Sequence, residues 1–375
     1  MALRFDGGAV LSLLLLACVG SASCSSSDPT SADAGGAFAG SSGSSASLEA
    51  GWPCNTSGNL DLSGLWAVQL DLTLILANQA GGTVTLCPGN QINTATILLL
   101  VQATQPPGAL TLDQVRPVFC AFELPSLTAV LGQCEPDATN TLTMSLLLGA
   151  ALQQKLAAVP TESVQGGLSA ASAGAGVGLD RFRLTAGTRK QGTAMPSWQS
   201  DVPGCGFNDT SAGRSSQCEP KCVDDCGSMV DDDEDGRAGV SFEVCGYTSD
   251  DMKSDVKCRA DQPDEPGIAI QGPLLLNFQV DPRLTGTALS SCEVRGDVDA
   301  QVVYQVVGGD LYVMNSQLSV MSSLKSLPLF TVDATKSRFR MVRVDGAQGA
   351  PDWKLDLADP IAACSAAVGR RNELR

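Results

Sequence analysis

A run of carboxylates is the feature of this 375-residue sequence that is most able to do chemistry. Residues 231–236 read Asp-Asp-Asp-Glu-Asp-Gly, which places three aspartates at alternate positions. A tightly turned loop can direct carboxylates with this spacing onto one cation, and Gly236 permits the backbone reversal that frees the next carbonyl. Ca²⁺ suits such a loop because it takes about six to eight oxygen ligands. The predicted ligands are Asp231, Asp233, Asp235, the carbonyl of Arg237 and Glu243.

This run resembles the DxDxDG calcium loops of EF-hands, dockerins and thrombospondin type 3 repeats over about a dozen residues. The resemblance implies a structural Ca²⁺ site rather than a catalytic one. Phe242 stands where an EF-hand has its bidentate glutamate, and Gly239 stands where dockerins are acidic. Missing carboxylates are expected from Glu243, or from Asp224 and Asp225. The alternative interpretation is a solvated acidic loop that keeps the protein soluble.

Composition excludes several kinds of chemistry. The sequence has no histidine, so serine or cysteine nucleophiles activated by imidazole and zinc sites with histidine ligands are excluded. A net charge of −16 opposes binding to nucleic acid. Ser322 and Lys325 form an SxxK pair, which needs no histidine, but the companion KTG and SDN motifs do not occur. We predict that the protein is not an enzyme, with a histidine-free hydrolase as a distant alternative.

Residues 1–23 are predicted to be a signal peptide. Arg4 gives a positive start, and residues 9–17 are apolar but too few to span a bilayer. This start resembles a bacterial lipoprotein signal, in which a cysteine after the apolar run is acylated. Cys18 fits the lipobox pattern better, whereas acylation of Cys24 leaves an even number of cysteines for disulfides. We favour Cys24 as the lipid anchor; Cys18 and plain secretion are the alternatives.

Residues 24–50 are predicted to form a flexible, lipid-anchored stalk. Within residues 25–47, 18 of 23 positions are Ser, Gly or Ala, so this stretch cannot bury a core. Ser25, directly after the favoured anchor, resembles an outer-membrane sorting signal. We therefore expect an exported protein held at the outer membrane or cell surface by its N-terminal lipid, with an unknown protein or surface partner.

The mature cysteines are expected to form disulfides, because an exported protein meets an oxidising environment. Residues 218–226 contain three cysteines with a regular spacing, but three thiols without histidine make an incomplete zinc site. The predicted disulfide cysteines are Cys54, Cys87, Cys120, Cys134, Cys205, Cys218, Cys222, Cys226, Cys245, Cys258, Cys292 and Cys364. Those within residues 205–258 are expected to pair among themselves. Elimination then gives Cys54–Cys87, Cys120–Cys134 and Cys292–Cys364.

The folded part is predicted to be mostly β, an antiparallel sandwich or barrel-like body. Apolar residues alternate with polar ones in three stretches, which is typical of strands with one buried face. These stretches are residues 66–76, 274–280 and 298–306. The predicted organisation is a first β region at 51–204, a cysteine-rich acidic loop insert at 205–258, and a second β region at 259–375. The insert holds 13 acidic and 5 basic residues.

Two patterns leave alternatives open. Cys134 precedes the sequence Arg-Phe-Arg at 181–183 by 47 residues, and Cys292 precedes the same sequence at 338–340 by 46. An internal duplication and a chance similarity explain this equally well. The segment Thr141–Ala158 could form one helix or two strands around its central glycine, and a duplication would favour strands.

Ser63-Gly64-Leu65-Trp66 resembles the GxW motif that opens lipocalin-type barrels. The resemblance implies a tryptophan that plugs one end of a barrel whose lumen holds an apolar ligand. A core tryptophan on an ordinary strand is the simpler interpretation. From the sequence we thus expect a surface protein with a structural or interaction role and a Ca²⁺-stabilised insert. The alternative is a lipocalin-like barrel that carries an apolar ligand.

Overall fold

The computed structural model of the chain describes most of the sequence that follows the predicted stalk. The described residues are 54, 56, 59–76, 93–125, 127–130, 141–199, 202–203, 205, 218, 220–248, 268–309, 312–313, 316–317 and 330–374. The predicted signal peptide, both candidate anchor cysteines, Ser322 and Lys325 lie outside them. By its internal contacts, Ala50–Arg375 forms one compact unit.

The described residues contain fifteen strands and two α-helices, so the prediction of a mostly β protein is confirmed. The strands are β1 (Gly64–Leu76), β2 (Asn93–Thr104), β3 (Thr111–Glu123), β4 (Leu127–Val130), β5 (Thr141–Leu148), β6 (Val164–Leu168), β7 (Gly176–Leu179), β8 (Leu184–Ala186), β9 (Val240–Thr248), β10 (Ile268–Ser290), β11 (Glu293–Gly309), β12 (Tyr312–Val313), β13 (Ser316–Gln317), β14 (Phe330–Val332) and β15 (Arg338–Arg343). The helices are α1 (Ala150–Lys155) and α2 (Pro360–Gly369).

Eight strands close into an antiparallel, barrel-like ring. Its order is β1, β2, β3, β6, β7, β10, β11 and β15, and β15 pairs again with β1. The order of these eight strands around the ring is the same as their order along the chain, as in an up-and-down meander. The two predicted β regions therefore contribute to one sheet, with five ring strands before the cysteine-rich segment and three after it.

The alternating apolar residues of β1 line a packed interior. Trp66, Val68, Leu70 and Leu72 have no exposed surface, and interior residues of the facing strands are equally buried. A side chain without exposed surface borders no space that a water molecule can enter. In a ring of only eight strands, side chains can fill the lumen completely. The described interior is thus a core, which gives no support to a ligand cavity inside the ring.

A second, smaller core lies on the outer face of the ring under α2. Leu65 and Ala67 of β1 point outward, because successive side chains alternate across a strand, and they share this core with Ala363 and Ala367 of α2. Asp359 caps the helix by accepting a hydrogen bond from the Ala362 N–H at 3.1 Å. Pro360 follows at the first helical position, where its missing N–H costs nothing.

The chain before β1 closes one end of the ring. Leu60 and Leu62 are buried in the main core. The side chain of Gln105 holds them there, since its Oε1 accepts the Leu62 N–H at 2.8 Å and its Nε2 donates to the Leu60 carbonyl at 3.3 Å. A disulfide between Cys54 and Cys292 ties this segment to the turn between β10 and β11.

The long strand β10 extends the sheet beyond the ring. Its edge opposite β11 pairs in turn with β7, β8 and β9, and β9 continues to β5 and β4. Val240–Thr248, at the end of the predicted loop insert, is therefore a strand of the main sheet. The expectation of a loop throughout residues 205–258 is wrong for this part, whose apolar residues alternate as in the other strands.

Four disulfides occur among the described cysteines. They are Cys54–Cys292, Cys120–Cys364, Cys205–Cys222 and Cys218–Cys226. The pairings obtained by elimination, Cys54–Cys87, Cys120–Cys134 and Cys292–Cys364, are wrong, because ring closure brings together cysteines that are far apart in sequence. The two bonds inside the cysteine-rich segment agree with the expected local pairing there. Cys87, Cys134 and Cys258, and the side chain of Cys245, lie outside the described part of the structure.

The ambiguous segment Thr141–Ala158 combines both expected structures. It forms the strand β5 and then the helix α1, which begins after Gly149. The two Arg-Phe-Arg sequences occupy different settings: residues 338–340 lie on the ring strand β15, whereas residues 181–183 connect β7 to β8.

Candidate metal centre

The acidic loop that precedes β9 brings three aspartates together. Carboxylate oxygens of Asp231, Asp233 and Asp235 all lie within 4.8 Å of one another. The Asp231 carboxylate accepts the backbone N–H groups of Asp235 at 3.1 Å and Gly236 at 2.9 Å, which wraps the loop around it. Gly236 has φ of 83°, so the turn uses the left-handed conformation that glycine adopts freely. The predicted convergence of the three carboxylates is present.

Asp233 lies at the centre of this group and is almost completely buried, with 1% of its surface exposed. Its Oδ2 accepts the backbone N–H of Ser241 at 2.8 Å, at the start of β9. Its Oδ1 is buried and has no hydrogen-bond partner. A buried carboxylate oxygen without a partner is costly, so a native site that retains one is expected to hold a cation or water there.

The electrostatics of the site show that its carboxylates lack a counter-charge. Burial, together with the close neighbours Asp235 and Asp231, raises the pKa of Asp233 to about 7, against the opposing effect of the Ser241 N–H. Both of these neighbours are acids, and no basic side chain is among the groups that shift the pKa of Asp233. A cation at the centre would relieve the repulsion that now disfavours the charged form.

The other two acids of the loop point away from the cluster. Asp232 forms an ion pair with Arg189 at 2.7 Å, and Glu234 forms one with Lys155 at 2.6 Å. Glu234 has φ of 55°, an uncommon conformation for a residue other than glycine. The alternation of the run therefore separates two functions: odd positions face the candidate ion, and even positions face basic side chains on neighbouring elements.

The remaining sequence candidates are placed less centrally. Glu243 lies on β9 and is not a member of the close group, although burial raises its pKa, with Arg237 lowering it and Asp235 raising it. Asp224 instead accepts the Ser197 N–H at 2.9 Å, and Asp225 lies 3.8 Å from Lys190. The structure therefore does not bring Asp224 or Asp225 into the close group.

Ser241 is a site residue that the sequence analysis missed. Its N–H binds Asp233, and its hydroxyl donates a hydrogen bond to Asp235. The sequence feature that could have identified Ser241 is its position at the end of the loop, directly before Phe242. Because Phe242 packs into the core, the residue before it must face the loop, as alternation along a strand requires.

A second polar feature lies where β1 begins. The Trp66 indole donates to the Leu62 carbonyl at 2.9 Å, and the guanidinium of Arg343 lies 6.0 Å from its ring. Arg343 is 4% exposed and pairs with Asp345 at 2.8 Å. Next to this pair, an open cleft of about 410 Å³ is lined by Leu65, Leu355, Leu357, Asp352 and Asp356, among others. It lies outside the ring.

Comparison with known proteins adds no relative. The sequence matches no model of a known protein family, and no curated protein is similar to it. Among the described residues, neither α-helix has the length and apolar character needed to cross a membrane.

Proposed function

We propose that the protein is an exported, lipid-anchored surface protein with a structural or interaction role, and that its acidic loop binds Ca²⁺. The single observation that carries the ion site is the buried, unpartnered Oδ1 of Asp233 between two further aspartates. Export and anchoring rest on the sequence before residue 51. The role at the surface rests on the stalk that separates the anchor from the folded body.

The donor set favours Ca²⁺ over other metals. Only carboxylates converge, and such hard oxygen ligands suit Ca²⁺ and Mg²⁺ rather than zinc or copper. Mg²⁺ requires a near-ideal octahedron, whereas Ca²⁺ accepts irregular sets and keeps some water. Because Asp235 is exposed, solvent can complete the shell. A Kd on the order of 10⁻⁴–10⁻³ M is expected, as in other extracellular modules.

Unfolding of the full chain with Ca²⁺, with Mg²⁺ and with chelator tests the ion site. An ion that binds only the folded state stabilises it by about 1.4 kcal/mol at a tenfold excess over Kd. Asp233→Asn is expected to remove this gain and to leave the protein without Ca²⁺ at least as stable, because it removes a buried negative charge that lies between two other acids. Asp356→Asn, a neutralised exposed aspartate in the outer cleft, is the matched control and should retain the gain.

Other results would count against the proposal. An equal rise with Mg²⁺ would reject Ca²⁺ selectivity. No rise with either ion, or a rise that survives Asp233→Asn, would leave the loop as a solvated acidic turn and reject the site.

Carriage of an apolar ligand is a second candidate, favoured only by the eight-strand ring and by Trp66 near the start of β1. The filled interior opposes it. Native mass spectrometry of the purified full chain tests it directly: a copurifying lipid in one-to-one ratio would establish a carrier, and a bare protein mass would remove this candidate.

A further inference from the structure

The acidic loop is fastened to the start of a neighbouring segment by one of its outward-facing carboxylates. Asp232 accepts the backbone N–H of Gly187 at 2.8 Å and binds the guanidinium of Arg189 at 2.7 Å. Its side chain is 6% exposed, whereas that of Arg189 is 49% exposed, so the carboxylate is shielded from water although the guanidinium is not. This carboxylate is thus held firmly at the point where the chain leaves β8.

We define the strap as residues 188–199 and 220–230, two described stretches of which the second contains the disulfide cysteines Cys222 and Cys226. Its two stretches meet beside the acidic loop. The Arg189 N–H donates to the Ser228 carbonyl at 3.1 Å, and the Val230 N–H donates to the Gly187 carbonyl at 2.9 Å. Because Val230 directly precedes Asp231, the last strap residue is covalently joined to the first candidate ligand.

The strap packs against polar residues of β10 and β11. Asn277 donates to the Pro196 carbonyl at 3.0 Å, Gln279 accepts the Gly192 N–H at 2.9 Å, and the Trp198 N–H donates to the Val306 carbonyl at 3.0 Å. Trp198 is 1% exposed, so docking of the strap buries a large side chain.

This interface is incompletely satisfied. The side-chain oxygens of Asn277 and Gln305, which are directly opposite one another on β10 and β11, are buried without partners. Unpaired buried acceptors oppose docking, since both would be hydrated if the strap lifted. These two acceptors therefore offset part of the stability that burial of Trp198 gives to docking, and an extra interaction from the acidic loop would add to it.

We propose that the cation latches the strap onto the sheet; this inference rests on the ion site proposed above. The inward carboxylates repel one another when no ion is bound, and this repulsion lowers the stability of the closed loop. An ion that gathers Asp231, Asp233 and Asp235 fixes the loop in the conformation that presents Asp232 to Gly187 and Arg189. Ion binding and strap docking then favour each other by the same factor, as linkage requires.

Amide hydrogen exchange of the full chain tests the latch in peptides that cover residues 187–199. If lifting the strap releases the ion, a tenfold excess of Ca²⁺ over Kd should slow exchange there about tenfold relative to chelator. Calorimetric titration with Ca²⁺ on the same samples reports ion binding separately. Acrylamide quenching of Trp198, taken as the difference between wild type and W198F, gives a second measure of docking in a chain with an unaltered loop.

Asp232→Asn cuts the connection without removing a candidate ligand. It is expected to retain calorimetric Ca²⁺ binding and to lose the slowing at residues 187–199. Asp225→Asn, which removes an equal charge from the strap itself, is the control and should keep the slowing. No calorimetric binding would overturn the ion site and the latch together. Two results would overturn the latch alone. One is calorimetric Ca²⁺ binding that neither slows exchange at residues 187–199 nor reduces quenching of Trp198. The other is slowing of exchange that persists in Asp232→Asn.

Discussion

Gly64 allows the buried ion pair at the start of β1 to form. It has φ of 136°, and a Cβ there would overlap Asp345 Oδ2 and come within 2.8 Å of Arg343 Nη2. The Asp345 carboxylate also accepts the Leu65 N–H at 3.2 Å, so the charged pair lies directly over this backbone. A residue with a side chain would have to displace both partners.

Gly64→Ala is expected to cost about 3 kcal/mol or more of unfolding free energy, because conformational strain and the lost ion pair add. Gly108→Ala is the matched control: φ is 72° there, and nothing lies within 4 Å of the new Cβ. It should cost only about 1–2 kcal/mol, the left-handed penalty alone. If urea unfolding shows that Gly64→Ala and Gly108→Ala lose equal free energy of unfolding, the close contacts above Gly64 have no energetic importance.

Asp345 gives a prediction about pH. Burial raises its pKa, but hydrogen bonds from Arg343 and from the Ala347 and Leu65 N–H groups outweigh this, so its pKa lies below the ordinary value of an aspartate, 3.8. A depressed folded pKa contributes stability that is present above the unfolded pKa and lost as the pH falls through the folded pKa.

Asp345→Asn should therefore cost about 3 kcal/mol at neutral pH, because it leaves Arg343 buried without its charged partner. The difference from wild type should persist down to pH about 4 and shrink below it. Urea unfolding of both proteins over this range measures it. A constant difference at all pH values would mean that the charge of Asp345 contributes nothing.

The candidate site shows what sequence could reveal at this scale. Spacing alone predicted that Asp231, Asp233 and Asp235 converge, because alternation in a tight turn is a local property. The sequence could not show that Asp233 is the buried member. Its burial depends on the Ser241 N–H and on the packing of β9 between β5 and β10, which are non-local contacts.

At the scale of elements, alternation predicted strands but not their neighbours. The stretches at 66–76, 274–280 and 298–306 all lie within strands, since one buried face imposes a period of two. Pairing of β1 with β15 joins residues more than 260 positions apart, and no local pattern encodes it. Ring closure therefore had to be seen in the structure, and the disulfide pairings with it.

The disulfide Cys120–Cys364 is predicted to hold α2 on the ring. It joins β3 to the helix across 244 residues, so it restricts the unfolded chain strongly. Replacing both cysteines with alanine should cost about 2–5 kcal/mol and expose the outer core under α2.

Urea unfolding combined with hydrogen exchange of residues 360–369 measures both effects. Replacing Cys205 and Cys222, whose bond spans only 17 residues, is the comparison and should leave exchange in α2 unchanged. If α2 exchanges equally slowly without Cys364, the outer core alone holds the helix.

At the scale of the whole molecule, the charge of the protein is unevenly distributed. Residues 205–258 hold 13 acidic and 5 basic residues, a net of −8 out of −16. The ring, in contrast, pairs many of its charges across neighbouring strands, as Arg338 does with Asp297 at 2.9 Å. Acidic character is therefore concentrated where we place the cation.

Anchoring is tested by the two candidate cysteines. In a bacterial host that processes lipoproteins, Cys24→Ala should abolish incorporation of labelled fatty acid into the full chain, because it removes the acylated thiol. Cys18→Ala is the matched control and should retain the label. The reverse pattern would place the anchor at Cys18, and no label in the wild type would indicate plain secretion.

The disulfide between Cys54 and Cys292 has a mechanical consequence. If the body is anchored through its N-terminal chain, as we propose, it comes under tension whenever a surface partner pulls against the anchor. Without this bond, the force would draw Leu60 and Leu62 from the end of the ring and then peel β1 from its neighbours one pair at a time. With it, the force passes directly to the turn between β10 and β11, where the Arg343 N–H also holds the Cys292 carbonyl at 2.9 Å. The segment that closes the ring then carries no load.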